Sequence, residues 1–370
     1  MTPQQERQLK HALVCDYLAA RGLDGVLLTR RCNFSWYTCG AHNHVGLACD
    51  VGVASLLVTR DGATVLANNI EATRLREEEL SGSGIRVVEY PWHDVAAAAK
   101  TFAEASRSMR LAADASAGGL KAEPLGRDFD RLRWTLNENE IARYRALCAD
   151  ATGVLDAVGR AARPGMTEHR LAGLLAAEMY ARGCTPWTVL LAADRRIERH
   201  RHPLPTDLRV ERYFMLIVGA ERHGLIASHS RLASFGPVPA ELADKHRAVA
   251  TVDAALIGAT RAGATLGEIF AEGQAAYDAV GHADQWRRHH QGGSCGYLPR
   301  DVKAAPGETL AALANQAFAW NPSITGTKSE DTILCTPNGP ELLAPAGAWP
   351  TIRAEWKGFV LNRPDILVLA

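Results

Sequence analysis

The sequence predicts an α+β protein with two domains, a small N-terminal α/β domain over residues 1–135 and a larger C-terminal domain over 136–370. A chain of 370 residues is too long for one ordinary hydrophobic core, and its 47% apolar content is that of a globular protein. Strands and helices alternate in the N-terminal part, which is typical of an α/β layer. The C-terminal part instead has two successive pairs of helices, each leading into strands.

Apolar runs separated by turn residues define the N-terminal domain. Residues 4–22 predict an amphipathic helix, and residues 24–29 a buried strand. Residues 30–37 are predicted to form a loop, whereas Asp61-Gly62 marks the turn of a β-hairpin. A charged helix, a strand, an alanine-rich helix and a short strand complete the domain over 70–80, 85–90, 94–108 and 111–116.

The C-terminal domain repeats one plan. A helix runs from an N-cap at Asn137 to about residue 163, and Thr167 caps a second helix after a Pro-Gly break. Helices over 239–262 and 266–280 have the same arrangement, with Thr265 as the second cap. Strands follow each pair, over TVLLAA and YFMLIV and later over AFAWNPSI and DTILCT. The repetition predicts an internal duplication.

Composition excludes several classes of function. Lys plus Arg and Asp plus Glu number 41 each, so no net field attracts nucleic acid or an anionic membrane. Neither a membrane-spanning apolar run nor a signal peptide is recognisable, so we expect a cytoplasmic protein. The eight cysteines include no C-x-x-C pair, which argues against a zinc ribbon or a thioredoxin-type site and is typical of reduced thiols.

The stretch His289-His290-Gln291-Gly292-Gly293 is the first candidate for a site. Histidine titrates near neutral pH, and glycines allow a backbone to approach a ligand closely. Eight of the 13 histidines fall between His200 and His290. A surface turn with exposed histidines is the alternative.

Several motifs, in order along the chain, resemble the creatinase/Xaa-Pro aminopeptidase (M24, pita-bread) family, which includes prolidase and methionine aminopeptidase. They are NFSWYTCG at 33–40, the helix–Pro-Gly–Thr-Glu–helix stretch from 138, Asn321-Pro322-Ser323 in place of Glu-Pro-Gly, and Ser329-Glu330-Asp331-Thr332. The resemblance implies a small creatinase-like α/β domain followed by a pita-bread domain with a pseudo-twofold, curved antiparallel sheet. It also implies a homodimer.

Peptidases of this family hold two divalent metals with two aspartates, one histidine and two glutamates. By the resemblance, Ile217 and Ser228 stand at the aspartate positions, and Asn321 replaces the first glutamate. His290 and Glu330 retain the other two ligand types. A two-metal site needs bridging carboxylates, whereas an isoleucine, a serine and an asparagine are absent or weak ligands for hard divalent ions. We therefore expect no dinuclear metal site and no cofactor.

The remaining polar residues predict acid–base chemistry on a small substrate. His202 and His290 are the expected acid and base, with Glu330 as their hydrogen-bonded partner. Asn321 is expected to donate to an oxyanion and Arg300 to bind a substrate carboxylate. Further candidates for substrate binding are Arg201, His200, Ser228, His229 and His289, of which His200 is an alternative to His202.

Creatinase is the precedent in the family for catalysis without metal. The sequence therefore predicts a metal-independent, creatinase-like hydrolase that cleaves an amide or amidine C–N bond in a small amino-acid-derived substrate. Lyase or cyclase chemistry in a biosynthetic pathway is compatible with the same residues. Two alternatives remain open: a metallopeptidase with one zinc on His202, His229, His290 and Glu330, and a pseudoenzyme that binds peptides.

Overall fold

A computed structural model describes residues 1–343 and 347–370. The chain divides into two compact units, Met1–Arg133 with Asn137–Asn139, and Trp134–Leu136 with Glu140–Ala370. We retain 1–135 and 136–370 as the proposed domain boundaries. No helix in the described ranges is long and apolar enough to cross a membrane. The eight cysteines are free thiols.

The N-terminal unit is a mixed sheet flanked by helices. Its strands are β1 Gly25–Arg30, β2 Val51–Thr59, β3 Gly62–Asn68, β4 Arg86–Tyr90, β5 Leu111–Ala113 and β6 Glu123–Pro124, in the order β4–β3–β2–β1–β5–β6. Its helices are α1 Pro3–Arg21, α2 Arg31–Tyr37, α3 Ala72–Arg74, which continues as the π-helix Leu75–Glu79, α4 Val95–Ala105 and α5 Arg127–Asp130, followed by the 3₁₀ turn Arg131–Arg133. The β2–β3 hairpin turns at Asp61-Gly62 as predicted.

The prediction of a loop over 30–37 is wrong, because residues Arg31–Tyr37 form the buried helix α2. Every residue of α2 is buried, and the Asn33 amide donates to Asp114 Oδ2 at 2.9 Å. The indole of Trp36 packs edge-to-face on Phe129. Tertiary packing of the aromatic side chains thus outweighs the weak local propensity for a helix.

The C-terminal unit contains the helices and strands of the predicted duplication. Its helices are α6 Glu138–Ala161, α7 Glu168–Ala181, α8 Arg195–Arg199, α9 Ala240–Ala259 and α10 Leu266–Ala279, with a 3₁₀ turn at Gln285–Arg288. Its strands are β7 Thr185–Ala193, β8 Tyr213–Arg222, β9 Leu225–Phe235, β10 Gly292–Cys295, β11 Val302–Lys303, β12 Gln316–Trp320, β13 Ser323–Ile324, β14 Thr327–Lys328, β15 Asp331–Thr336, β16 Gly339–Leu342, β17 Thr351–Trp356, β18 Phe359–Pro364 and β19 Ile366–Leu369.

The strands of this unit form two larger sheets, in the orders β19–β9–β8–β7 and β11–β10–β12–β15–β16. The first is antiparallel apart from the parallel pair β9–β19, and the second is antiparallel. They meet where Ser230 N–H on β9 donates to the carbonyl of Glu330, just before β15, at 3.1 Å. The pairs β13–β14 and β17–β18 form separate ribbons.

Matching hydrogen bonds support the internal duplication. Thr167 and Thr265 cap α7 and α10 by accepting from the backbone N–H three residues ahead, as predicted. Gly165 N–H donates to Val210 O at 2.8 Å in one half, and Gly263 N–H donates to Ala312 O at 2.9 Å in the other. Each half therefore holds its second helix against a returning loop in the same way.

The glycines of the histidine–glycine stretch serve packing rather than ligand approach. Gly292 and Gly293 begin β10 with φ of 103° and 150°, a region that other residues rarely adopt. A Cβ on Gly292 would collide with the carbonyl oxygen of Ala319 on β12. A Cβ on Gly293 would collide with that of Val302 on β11. The two glycines thus allow β10 to lie between its neighbours and fix where His290 leaves the sheet.

We predict that Gly293→Ala lowers the free energy of unfolding by about 3 kcal/mol, because the methyl group meets backbone on the adjacent strand. Urea denaturation measures the change. The control is Gly173→Ala, at an exposed position of α7 with no atom within 4 Å of the added Cβ. That control should gain about 0.5–1 kcal/mol from better helix propensity. Equal stability of the two variants would contradict the packing role of Gly293.

Candidate active site

One cavity of about 210 Å³ in the C-terminal unit brings together most of the predicted site residues. It is lined by Thr188, Leu190, His202, Ile217, Val218, Gly219, Ser228, His290, Pro299, Arg300, Asn321, Lys328 and Glu330. A larger cavity of about 340 Å³ lies beside Tyr213, Phe235 and Lys245, and the described residues that line it include none of the predicted site residues. The smaller cavity is therefore the candidate active site.

The strand register explains why His290, Asn321 and Glu330 converge. Gly292 on β10 pairs with Trp320 at the end of β12, and Trp320 pairs with Asp331 at the start of β15. The backbone N–H of Asn321 also donates to Gln291 O at 3.0 Å. His290, Asn321 and Glu330 lie one or two residues beyond these paired positions, so they share one edge of the sheet. The three residues thus meet at the cavity although they are distant in sequence.

The carboxylate of Glu330 is the most constrained group in the cavity. The Glu330 side chain is 4% exposed. Its Oε2 accepts from Lys328 Nζ and from the Ser230 hydroxyl, both at 2.6 Å, and its Oε1 accepts from the Arg300 guanidinium at 3.0 Å. Burial alone would raise the pKa of Glu330, but the charges of Lys328 and Arg300 hold it well below its usual range. Glu330 is therefore ionised, and each of its oxygens accepts from a cationic donor.

The predicted hydrogen-bonded pair between a histidine and Glu330 is not formed. The contacts of the Glu330 oxygens among the described residues go to Lys328, Arg300 and Ser230. Lys328 was not among the sequence candidates. A usable signal was its position two residues before Glu330, because side chains at i and i+2 of an extended chain point to the same face. Arg300 ion-pairs with Glu330 instead of standing alone as a carboxylate anchor.

Three imidazoles form a cluster at one side of the cavity. The Nε2 atoms of His202 and His289 lie 3.0 Å apart, and the rings of His289 and His290 have centroids 4.5 Å apart. Burial, reinforced by the charge of Arg300, lowers the pKa of His290 to about 4. Burial, reinforced by Lys328, also lowers the pKa values of His202 and His289. All three are therefore neutral at pH 7 and can accept protons.

The other predicted residues lie at different distances from the cavity. Ser228 lines it, with its hydroxyl 3.4 Å from Arg300. Asn321 also lines it, and its Oδ1 is buried without a hydrogen-bond partner among the described residues. His200 and Arg201 line a much smaller neighbouring space together with His289. Arg201 there donates to Thr325 Oγ1 at 3.0 Å and to Gln285 at 3.3 Å.

His229 does not line the cavity. It is fully buried, with its Nδ1 3.3 Å from Asp331 Oδ1 and 3.3 Å from Thr152 Oγ1. Burial lowers the pKa of His229 to about 4, so the ring is neutral. The expected contact with substrate is therefore corrected: His229 packs behind the site, because its position on β9 points to the opposite face from Ser228 and Ser230.

A second buried ion network lies immediately beside Glu330. Asp331 accepts from Arg231 at 2.8 Å and pairs with Arg363 at 3.0 Å. Arg363 also donates to Asp253 at 2.8 Å, and Asp253 accepts from the Ser329 hydroxyl. Two arginines thus balance two aspartates. The network fixes both neighbours of Glu330 in the chain.

The residues present do not fit the family's pair of divalent metals. Ile217 contributes no ligand, Ser228 and Asn321 are uncharged, and both oxygens of Glu330 already accept from cations. The nitrogen atoms of His202, His289 and His290 do lie within 4.8 Å of one another, a spacing that could hold one metal ion. Neither His229 nor Glu330 belongs to that group in the described part of the chain.

Solved structures of peptidases share the fold. The Xaa-Pro dipeptidase from Bacillus anthracis has a TM-score of 0.78 at 17% identity, covering 98% of this chain and 100% of that one. The prolidase from Pyrococcus horikoshii OT3 has a TM-score of 0.77 at 19% identity, covering 91% and 98%. Dipeptidase PepE from Mycobacterium ulcerans has a TM-score of 0.75 at 18% identity, covering 99% and 98%.

The fold is that of a pita-bread protein, and the predicted fold class is confirmed. The sequence profile of metallopeptidase family M24 matches residues 142–337, more than half of the chain. The chain belongs to metallopeptidase family M24, as the motifs indicated. A comparison with curated protein sequences finds no match.

We predict that Lys328→Met lowers the free energy of unfolding by about 3–5 kcal/mol, because a buried carboxylate loses one of its cationic partners. Adding Glu330→Gln to that variant should restore at least half of the loss, since the buried anion is then also removed. Urea denaturation of the two variants and the wild type measures both effects. A double variant no more stable than Lys328→Met would contradict the direct coupling of these two side chains.

The neutral histidines make stability depend on pH. The pKa values of His229 and His290 are about 4 in the folded chain, below the usual 6.5, so the unfolded chain binds more protons between these values. Their contribution to stability is therefore complete above pH 6.5 and is lost as the pH falls toward 4.

We expect His290→Asn to flatten that loss in urea denaturations between pH 7.5 and 4.5. The control is the same substitution at an exposed position outside the cavity, His93→Asn. An identical slope in wild type and His290→Asn would contradict the lowered pKa of His290.

Proposed function

We propose that this protein is a creatinase-like hydrolase that cleaves the C–N bond of an amide or amidine in a small amino-acid-derived substrate without metal. The observation that carries the proposal is that the two oxygens of Glu330 accept from Lys328 and Arg300, beside residues without a carboxylate at the other positions that the family uses for metal. With no carboxylate free to bridge two ions, the cavity offers the chemistry of imidazoles, an amide and fixed cations.

The neutral imidazoles of His202 and His290 supply acid–base catalysis in this proposal. One imidazole takes a proton from a water molecule as the water oxygen bonds to the electrophilic carbon of the substrate. The C–N bond then breaks, and the proton passes from the imidazolium to the departing nitrogen. His289, 3.0 Å from His202, shares a proton with it and orients its ring.

The negative charge that develops on the attacked group is best stabilised by a hydrogen-bond donor that is already held in place. Asn321 lines the cavity, is 2% exposed and is held by its backbone bond to Gln291. Its amide is the proposed donor to the oxyanion, a contribution of the kind that supplies about 10²–10³ in kcat. Glu330 acts in this scheme by positioning the neighbouring cations and not by moving a proton.

The closeness of the three imidazoles favours one competing function, a metallopeptidase with a single zinc on His202, His289 and His290. Hydrolysis of Xaa-Pro peptides would then require that ion. The proposal also includes a homodimer in the cytoplasm, following the resemblance to the family and the free thiols. A peptide-binding protein without turnover is the third possibility that the experiment below separates.

We predict that the purified protein, stripped with EDTA, hydrolyses at least one member of a panel of N-acyl amino acids, guanidino acids and Xaa-Pro dipeptides at an unchanged rate. His290→Ala should lower kcat by about 10²-fold or more. Exposed His169, substituted in His169→Ala, is the matched control and should leave kcat unchanged.

Metal analysis of the same preparations decides between the functions. Stoichiometric zinc, manganese or iron, with activity lost on chelation and regained with the ion, would overturn the metal-independent mechanism. Absence of turnover on the whole panel, with peptides bound equally by wild type and His290→Ala, would instead support the binding protein.

A further inference from the structure

We propose that the cavity of about 340 Å³ in the C-terminal unit is a second binding site, for a free amino acid with an apolar side chain. The amino acid binds as a zwitterion, with its carboxylate on Arg195 and Arg212 and its ammonium group on Glu198. Its side chain packs on the apolar wall of the cavity. The inference goes beyond the proposed function and does not depend on it, because binding here requires no hydrolysis.

This second cavity is separate from the candidate active site. The described residues that line the two cavities have no member in common. One hydrophobic cluster reaches both of them. Its members Leu190 and Ile217 line the active-site cavity, and its members Ile197 and Leu242 line the second cavity. Packed side chains therefore lie between the two cavities, and substitutions can distinguish a ligand of one from a ligand of the other.

The apolar wall of the second cavity comes from α8, the adjoining ends of β8 and β9, and the start of α9. Tyr213 on β8 pairs with Ser234 on β9, which brings these strand ends together. The Tyr213 hydroxyl donates to Gly326 O at 3.1 Å, so the polar atom of this side chain already has a partner. The apolar wall consists of Ile197, Tyr213, Phe235, Pro237, Pro239 and Leu242.

The size of the second cavity limits the ligand to a small molecule. A volume of about 340 Å³ lies at the lower end of the roughly 300–1,000 Å³ that is usual for small-molecule sites. Such sites combine a mainly apolar lining with a few polar groups that fix the orientation of the ligand. A single amino acid with an aromatic or branched side chain suits both the volume and the wall.

The charged residues that line the cavity carry both signs in equal number. Two of the three carboxylates already have partners within the protein. Asp194 accepts from the backbone N–H groups of residues 211–213 at 3.0–3.2 Å, and Glu241 accepts from Lys245 at 2.7 Å. The full set is Arg195, Arg212 and Lys245 with Asp194, Glu198 and Glu241.

The other charged side chains remain available to a ligand. Arg195, Arg212 and Glu198 form no side-chain hydrogen bond or ion pair in the described part of the chain. A guanidinium group binds a carboxylate through two parallel hydrogen bonds, and a carboxylate accepts from an ammonium group. A zwitterion uses both kinds of contact, whereas a simple carboxylic acid or amine uses one of them.

A buried hydroxyl provides an independent sign of a ligand. Ser234 lines the second cavity and is 3% exposed, and its hydroxyl has no hydrogen-bond partner among the described residues. Buried polar groups are nearly always hydrogen-bonded in folded proteins. The Ser234 hydroxyl therefore indicates that a polar atom of a ligand completes the site at the end of β9.

Calorimetric titration of the full-length protein at pH 7 and low ionic strength tests the proposal. The probes are L-phenylalanine, 3-phenylpropanoate and 2-phenylethylamine, which share one apolar group and carry both charges, the negative charge or the positive charge. We expect L-phenylalanine to bind at least about tenfold more tightly than either of the others, a factor in the range of a charge-assisted hydrogen bond. Equal affinity for L-phenylalanine and 3-phenylpropanoate, or no binding of L-phenylalanine, would overturn the proposal.

Variants locate the binding site. Arg212→Met removes a partner of the carboxylate, and Ser234→Leu removes the hydroxyl and fills part of the cavity. Each should weaken binding of L-phenylalanine at least about tenfold. Arg212 is exposed, which keeps the test decisive if the buried Ser234 variant fails to fold. Arg170→Met, at an exposed arginine of α7 outside the cavity, is the matched control and should keep the wild-type affinity. Wild-type affinity in folded Arg212→Met would overturn the assignment.

A variant of the other cavity separates this result from the proposed function. Asn321→Ala alters the candidate active site and should leave the affinity for L-phenylalanine unchanged. Binding that is lost in Asn321→Ala but kept in Arg212→Met would place the amino acid in the active-site cavity and overturn the proposal. Binding that Arg212→Met weakens, in a protein that hydrolyses no panel substrate, would support the second site and count against the hydrolase.

Discussion

A buried, ionised carboxylate is the constraint on which the candidate active site depends. Glu330 lies at the junction of the two sheets, where its charge must be compensated at a position that water hardly reaches. Lys328 and Arg300 provide that compensation through the chain itself. Burial, reinforced by the charge of Arg300, lowers the pKa of His290 and keeps its ring neutral. The ion pairs of Glu330 and the lowered pKa values of the nearby histidines thus belong to one buried arrangement.

The duplicated helices and strands of the C-terminal unit fix the positions of Glu330 and its partners. Matching loop contacts in the two halves hold α7 and α10 in equivalent positions. The junction between β9 and β15 then places Ser230 against Glu330. Beside it, the balanced pairs around Asp331 fix the backbone that carries the carboxylate. Such support allows a small cavity to hold donors in one geometry before a ligand arrives.

Local signals in the sequence predicted the features that depend on neighbouring residues or on motif order. The caps at Thr167 and Thr265 and the meeting of Ile217, Ser228 and Asn321 at one cavity are of this kind. The contacts of Glu330 depend instead on how β9, β14 and β15 come together, which no short motif encodes. Helix α2 was missed because its stability comes from burial of every side chain and not from propensity.

The central claim is that Lys328 and Arg300 occupy the carboxylate of Glu330, which by its motif resembles a metal-binding position of the family. Equilibrium dialysis of chelator-stripped protein against Mn²⁺, an ion that prefers carboxylate and carbonyl ligands, tests it most directly. The account predicts substoichiometric Mn²⁺ binding at neutral pH, because Glu330 has no oxygen free of cationic donors. Two tightly bound Mn²⁺ ions per chain, lost on Glu330→Gln, would contradict it.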